Sequence, residues 1–429
     1  MKIKNILTGT VLSCAVMMSS CSLDEDLSAI SNPDTFYATK AQCEAALNGT
    51  YIPLKSLYTW EYFLAVESVT DLASCMGSND NARALMTPAK PCFGSNAWTQ
   101  GYLGVMRCNA AIAGIEKAPI NDETKTQMIG EGVVMRAFYY YFLTCFFGDV
   151  PFYEDDVATR EVQDKVAVLP RMSAVETRDS LIKELEYWVP QMKQCRTSEM
   201  ENNRSGAAMG WMLIAKMAMW NKNWDKAIEA IEVLEKLYGD LSQYPLEDVY
   251  FRNKNTPESI FEIQHVYVDG GLNYTNSVAC VCTPPKSLSN GKALYDGIEI
   301  PELGTEGTTW TPCRPSAYMK SLLYEGSPDR RSGMWIVHST YNNQAFNRAD
   351  GCFGPKFWCP NMRNTADSNN YKVFRYADAL LLKAEAYCMK QMQEESLRYL
   401  NMTKRRAGAD EYEFRNWTRL MDEIMDERA

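Results

Sequence analysis

The sequence predicts a mainly α protein: stacked tetratricopeptide-like helical hairpins with long irregular loops and a few short strands. Three observations carry this prediction. Two segments read as paired helices, Ala207 to Leu237 around a polar turn at Asn221, Lys222 and Asn223, and Tyr376 to Arg406 with Gly408 as its cap. Thr39 with Gln42, and Ser173 with Glu176, have the spacing of capping boxes. The segment Thr124 to Phe147 is almost wholly apolar after Val133, as suits a helix buried on all sides.

Taken in order, the chain opens with Lys2 and Lys4, an apolar run from Ile6 to Met18, then Ser19, Ser20 and Cys21 before acidic Asp24, Glu25 and Asp26. The run is shorter than the roughly 20 residues a membrane-spanning helix needs. Small residues ahead of a cysteine suit cleavage of a lipoprotein export signal. Residues 1–20 are thus expected to be removed, leaving Cys21 as a lipidated N-terminus that tethers the protein to a bacterial membrane. The remainder divides into residues 21–240 and 241–429, two regions expected to pack as one body.

Behind Thr39, residues Cys43, Leu47, Tyr51 and Leu54 repeat along one helical face. Trp98, Tyr102, Val105, Ile112 and Ile115 do so in a second segment, and Gly148 with Pro151 stops the third. Val175, Leu181, Ile182, Leu185 and Val189 line the helix that starts at Ser173. In the first hairpin, Trp211, Ala215, Ala218 and Trp220 face Ala227, Ile228, Ile231 and Leu234. In the second, Ala379, Leu382 and Ala386 face Leu397 and Leu400. Helical pairs that cannot bury their apolar faces alone must stack, so the hairpins are expected to share one scaffold despite their separation in sequence. Outside the helices, Ser74 to Ala97, Val268 to Ser316 and Ser339 to Tyr371 are rich in Gly, Pro and Asn, which is loop chemistry. Loops this long inside a compact domain usually carry function.

Composition narrows the function classes. A net charge of -10 argues against nucleic acid, whose phosphates need concentrated Lys and Arg. No metal site is expected, because the closest cysteine spacing, Cys280 with Cys282, has no nearby histidine to complete it. No cofactor is implied, since there is no Gly-rich phosphate loop, HExxH or GxSxG. Most cysteines are expected as thiols, with disulfides open among Cys280, Cys282, Cys313, Cys352 and Cys359. His265 reads as part of a short strand, and no catalytic constellation stands out.

Aromatic loading does stand out, at 10 Trp and 24 Tyr. Rings at helical spacing are core, but Trp60, Tyr62, Phe93, Tyr274, Tyr295, Trp310, Tyr341, Phe353 and Trp358 fall in or beside loops. Such rings stack on sugar faces while polar side chains take the hydroxyls. The ligand-binding candidates are Trp60, Asp71, Asn79, Arg83, Tyr274, Tyr295 and Trp310, with plain packing as each one's alternative role.

The chain resembles the SusD/RagB family of outer-membrane nutrient-binding lipoproteins. The resemblance rests on Cys21; on Ala45, Ala46, Leu47, Gly49 and Tyr51; on Trp98, Tyr102 and Asn109; and on Gly130, Glu131, Arg136, Ala137, Tyr140 and Phe142 leading to Phe147-Gly148-Asp149-Val150-Pro151. It continues through Asp329 with Arg330 or Arg331, Arg375-Tyr376-Ala377-Asp378, Leu381, Ala384-Glu385-Ala386, Leu400-Asn401 and Arg405-Arg406-Ala407-Gly408. It implies four tetratricopeptide-like units and a non-catalytic role. That role is capture of oligosaccharides at the outside of the outer membrane for a SusC-like TonB-dependent β-barrel. A peptide receptor on the same scaffold, or a surface glycoside hydrolase, is the alternative. The family pattern usually continues past Ile424, Glu427 and Arg428 into a Glu-Leu and Gly-x-Arg-Trp stretch, whereas this sequence stops at Ala429, so a curtailed terminal helix is expected.

Overall fold

The computed structural model describes residues 36–67, 69–75, 93–271, 273–311, 313–348 and 351–429. The expected export signal, Cys21, Asn79 and Arg83 lie outside the described residues.

In chain order the helices are α1 (Lys40–Leu57), α2 (Trp60–Glu67), α3 (Phe93–Lys117), α4 (Asp122–Phe147), α5 (Arg160–Ala167), α6 (Ala174–Trp188), α7 (Ala207–Trp220) and α8 (Trp224–Tyr238). Then come α9 (Val278–Cys282), α10 (Ala317–Leu322), α11 (Tyr376–Met389), α12 (Gln393–Ala407) and α13 (Trp417–Arg428). Both expected caps form: the Thr39 hydroxyl accepts from the Gln42 amide while Gln42 reaches back to Thr39, and Ser173 accepts from Glu176. Gly148, at φ 66°, closes α4 in a left-handed conformation that a β-carbon would disfavour.

α1 packs on α3, α3 on α4, α4 on α6, and α6 on α7. α7 and α8 form one hairpin and α11 and α12 another, and α11 lies against both α7 and α8. The two hairpins therefore do stack. One apolar core runs from Cys43 to Ile424. α4 sits inside it, with Val133, Val134, Met135, Phe138, Tyr139 and Leu143 all sealed from solvent.

Three details of the helical reading are corrected. Trp220 and Val175 are exposed at helix ends, and Trp211 is only half-buried, its indole donating to Gln194 Oε1 at 3.0 Å. Periodicity marks the apolar face of a helix but not how far along that face a neighbour covers it.

Several of the family-pattern residues make polar ties within this scaffold. Buried Glu131 accepts from Tyr51 at 2.6 Å and from Arg204 at 2.9 Å, joining α1, α4 and the segment before α7. Buried Arg136 donates to Asn109 at 2.9 Å and pairs with Glu184, joining α3, α4 and α6. Glu258, wholly buried, meets Arg375 at 2.9 Å and Arg406 at 2.8 Å. Burial pushes its carboxyl up, but the two guanidiniums outweigh burial and hold it below the usual range.

The long irregular stretches hold short two-stranded antiparallel pieces, among them Ser259–Ile263 with Tyr371–Arg375, Lys286–Ser289 with Lys292–Tyr295, and Ala73–Cys75 with Cys313–Pro315. No helix among the described residues is long and apolar enough to cross a membrane.

Candidate functional site

Rings from three segments of the chain lie at the surface around the junction of α1 and α2. Trp60 opens α2, and its ring meets the ring of Trp310 edge to face at 5.4 Å. The Trp310 amide donates to the Cys280 carbonyl, in the middle of α9, at 2.8 Å, as does that of Thr311 at 3.1 Å. Thr311 stands at φ 48°, a left-handed conformation that a β-branched residue rarely adopts, and its hydroxyl is held by the Thr283 carbonyl at 2.7 Å. The backbone under Trp310 is thus fixed from both sides while the indole remains 46% exposed.

Tyr274 arrives from a hairpin. Its amide and carbonyl pair with Val266 across the Asp269-Gly270 turn, and its ring, 38% exposed, lies 4.2 Å from the Lys55 ammonium. Lys55 also donates to the Asn273 carbonyl at 3.3 Å, fastening the hairpin to the last turn of α1. Arg363 pairs with Asp269 at 3.0 Å and Glu306 at 3.2 Å, linking the hairpin to the strand-like segment that leads to Trp310. The result is a surface region with exposed Trp310 and Tyr274, half-buried Trp60, exposed Val266 and Val268, and hydrogen-bonding groups beside them. That mixture suits a ligand with apolar faces and hydroxyl rims.

The structure pairs Trp60 with Trp310, holds Tyr274 against Lys55 in the last turn of the helix before Trp60, and separates two other candidates from them. Tyr295 is a correction: at 1% exposure it packs with Ile298, Ile300, Leu303 and Trp358, its hydroxyl donating to the Gly304 carbonyl at 2.9 Å, so its ring belongs to a small second core. Trp358 and Phe353 are buried likewise. Asp71 is exposed but lies elsewhere, at the lip of a separate cavity, with its carbonyl accepting from Ser316. His265 is a core residue just beyond the strand Ser259–Ile263, and burial pushes it down to about 4, which keeps it neutral at physiological pH.

That separate cavity encloses about 860 Å³. Its walls are aromatic (Phe251, Phe353, Phe357) and ionic, and the ions are largely paired: Arg331 with Asp329 at 2.6 Å and Glu427 at 2.8 Å, Lys216 with Asp378, and Arg375 with Glu258. Lys356 lies over the Trp335 ring at 4.6 Å, and burial, aided by the positive charge of Arg375, pushes its ammonium down to about 7. Ion pairs closed on each other serve the scaffold rather than a neutral ligand. Among the described residues no group of His, Cys, Asp and Glu is arranged to hold a metal ion.

Sequence reading did not find Lys55, Val266 or Val268. A signal for the hairpin was present in Asp269-Gly270, a dipeptide that marks tight turns between strands. Lys55, on the α1 surface, carried none.

Two family models match the chain. That of the SusD family covers residues 306–429, and one described as starch-binding associating with outer membrane covers residues 31–205. Among curated relatives, SusD-like protein P25 of Formosa agariphila is 21% identical over 456 residues, spanning 96% of this chain and 84% of its own length. SusD-like protein P2 of the same organism is 23% identical over 431 residues, spanning 93% and 81%. Among solved structures, surface glycan-binding protein A from Bacteroides uniformis aligns with a TM-score of 0.71 at 19% identity, covering 91% of this chain and 85% of that one. The protein of that name from Bacteroides thetaiotaomicron, in complex with laminarihexaose, aligns with a TM-score of 0.69 at 20% identity, covering 91% and 87%. These structural likenesses establish a shared fold.

Proposed function

The chain belongs to the SusD/RagB family, and we propose that it is a non-catalytic glycan-binding lipoprotein, tethered through Cys21 to the outer membrane and facing the cell exterior. It captures oligosaccharides and passes them to a SusC-like TonB-dependent β-barrel. The observation that carries the binding role is half-buried Trp60 in edge-to-face contact with exposed Trp310, with exposed Tyr274 held against Lys55; backbone hydrogen bonds fix Trp310 and Tyr274 while their rings stay open. Rigid, partly exposed rings stack on sugar at little ordering cost. The laminarihexaose complex of the Bacteroides thetaiotaomicron relative supports a β-linked glucan as the first ligand to try.

Affinity for one oligosaccharide is modest, in the millimolar to micromolar range or roughly 4 to 8 kcal/mol, because a shallow surface shields only part of the ligand. Calorimetric titration of the full chain with laminarihexaose, other oligosaccharides and peptides, with analysis of products, tests this role. Saturable glycan binding without turnover is the expected result. Hydrolysis that survives removal of contaminants makes the protein a glycosidase, and binding of peptides alone makes it a peptide receptor. Cys21→Ala is expected to release the folded protein from membranes in cells that lack the transporter, as judged by fractionation.

A further inference from the structure

The strand Ala73–Cys75 pairs antiparallel with Cys313–Pro315, and in that register Cys75 lies directly opposite Cys313. Directly opposed residues in an antiparallel pair have Cα atoms roughly 4.5 or 5.5 Å apart, depending on whether the pair is hydrogen-bonded. Both values fall within the Cα separation of about 4.4 to 6.8 Å that a disulfide spans, so no backbone movement is required. The two side chains already touch: the thiols are hydrogen-bonded to each other. Cys313 is sealed from solvent and Cys75 is half-buried, so the pair has one thiol a reagent can reach and one that can resolve the adduct.

We infer that Cys75 and Cys313 form a reversible thiol–disulfide pair, oxidised by small-molecule disulfides of the glutathione type. The Cys75 thiolate attacks one sulfur of the reagent, forming a mixed disulfide and expelling one reagent thiolate. The Cys313 thiolate then attacks the Cys75 sulfur, forming the internal bond and expelling the second. Two protein thiols are oxidised, one reagent disulfide is reduced to two thiols, and the two protons the protein loses end on them.

Position makes the bond consequential. Cys313 follows Trp310 by three residues, so the crosslink braces the segment that carries an exposed platform ring. It also closes a loop spanning most of the chain, which restricts the unfolded state far more than the folded one. Cys313 is pushed up by its hydrogen bond with Cys75 and by burial, so the first attack falls to Cys75.

The test exposes the purified full chain to oxidised glutathione in non-denaturing buffer, blocks remaining thiols and maps linked peptides by mass spectrometry. Exposed Cys145 reports that the reagent has acted. The expected product joins the Cys75 peptide to the Cys313 peptide, disappears on mild reduction and raises the melting temperature. It is absent from Cys75→Ala, whose half-buried position lets the fold stand. Glutathionylation of Cys145 with no Cys75–Cys313 link overturns the inference. So does a dominant link from either residue to Cys282, Cys352 or Cys92.

Discussion

Replacing Trp310 by alanine separates a binding surface from a packing one. A tryptophan presents about 150 to 250 Å² that can be buried, and with 46% of the residue open, roughly 100 Å² is available to a ligand. A sugar ring on one face shields half to three quarters of that, which at about 25 cal/mol per Å² amounts to roughly 1.3 to 2 kcal/mol, or a ten- to thirtyfold weaker dissociation constant. Truncation also removes the edge-to-face contact with Trp60, so that ring loses a support. In a double-mutant cycle, Trp60→Ala and Trp310→Ala are therefore expected to be non-additive in binding by about 0.5 to 1 kcal/mol. The fold is expected to lose less than about 1 kcal/mol, since an exposed indole contributes little to packed helices. Trp211→Ala serves as the contrast: half-buried and hydrogen-bonded to Gln194, it is expected to lose roughly 2 to 3 kcal/mol of stability with binding unaltered. Calorimetric titration with laminarihexaose and thermal melts of the variants provide the readings. If Trp310→Ala melts as low as Trp211→Ala, or binds as tightly as the parent, the surface is structural and the reasoning fails.

Other perturbations probe the scaffold. Glu258→Gln takes the buried charge from between Arg375 and Arg406 and leaves two partly buried guanidiniums without their counter-charge, so chemical denaturation is expected to show a loss of about 3 to 5 kcal/mol. Lys356, pushed down to about 7, lacks a proton that the unfolded chain still binds up to the ordinary lysine range, so its contribution makes stability rise with pH across that window. Below the window both states are protonated and the full penalty for the buried ammonium remains. Lys356→Met is accordingly expected to stabilise the protein by about 1 to 3 kcal/mol near pH 6 and to flatten the dependence above pH 7, as followed by denaturant titrations across pH. Gly104→Ala places a β-carbon 2.4 Å from ring atoms of buried Tyr139, forcing α3 from α4, and a melt is expected to register about 1 to 3 kcal/mol of destabilisation.

The helical scaffold was legible because its signals are local. The Thr39 and Ser173 caps, the turn at Asn221 to Asn223 and the stop at Gly148 each act within a few residues, and the structure places helix ends at or near them. Stacking of the two hairpins followed from their unburied apolar faces, and α11 supplies the contact. The polar ties were not legible. Glu131 and Arg204, or Glu258 and Arg406, find each other only after more than seventy residues have folded between them, and no pattern in sequence marks which buried charge meets which.

The aromatic site shows the same limit more sharply. Tyr295 and Trp310 sit in one Gly- and Pro-rich stretch, and composition treats them alike. What separates them is two-residue periodicity over a short span: Ala293 and Tyr295 alternate inward on a hairpin strand closed by Asn290-Gly291, which turns the tyrosine into a small core. Trp310 has no such strand, and its backbone is spent on the Cys280 carbonyl through a left-handed Thr311, leaving the ring nowhere to go but outward beside Trp60. An exposed platform thus arises where the chain satisfies its backbone hydrogen bonds in a strained turn instead of a ladder. Relaxing that turn with Thr311→Gly is therefore expected to preserve the melt while loosening Trp310 and weakening glycan binding. An unchanged titration would mean that the strain holds nothing in place.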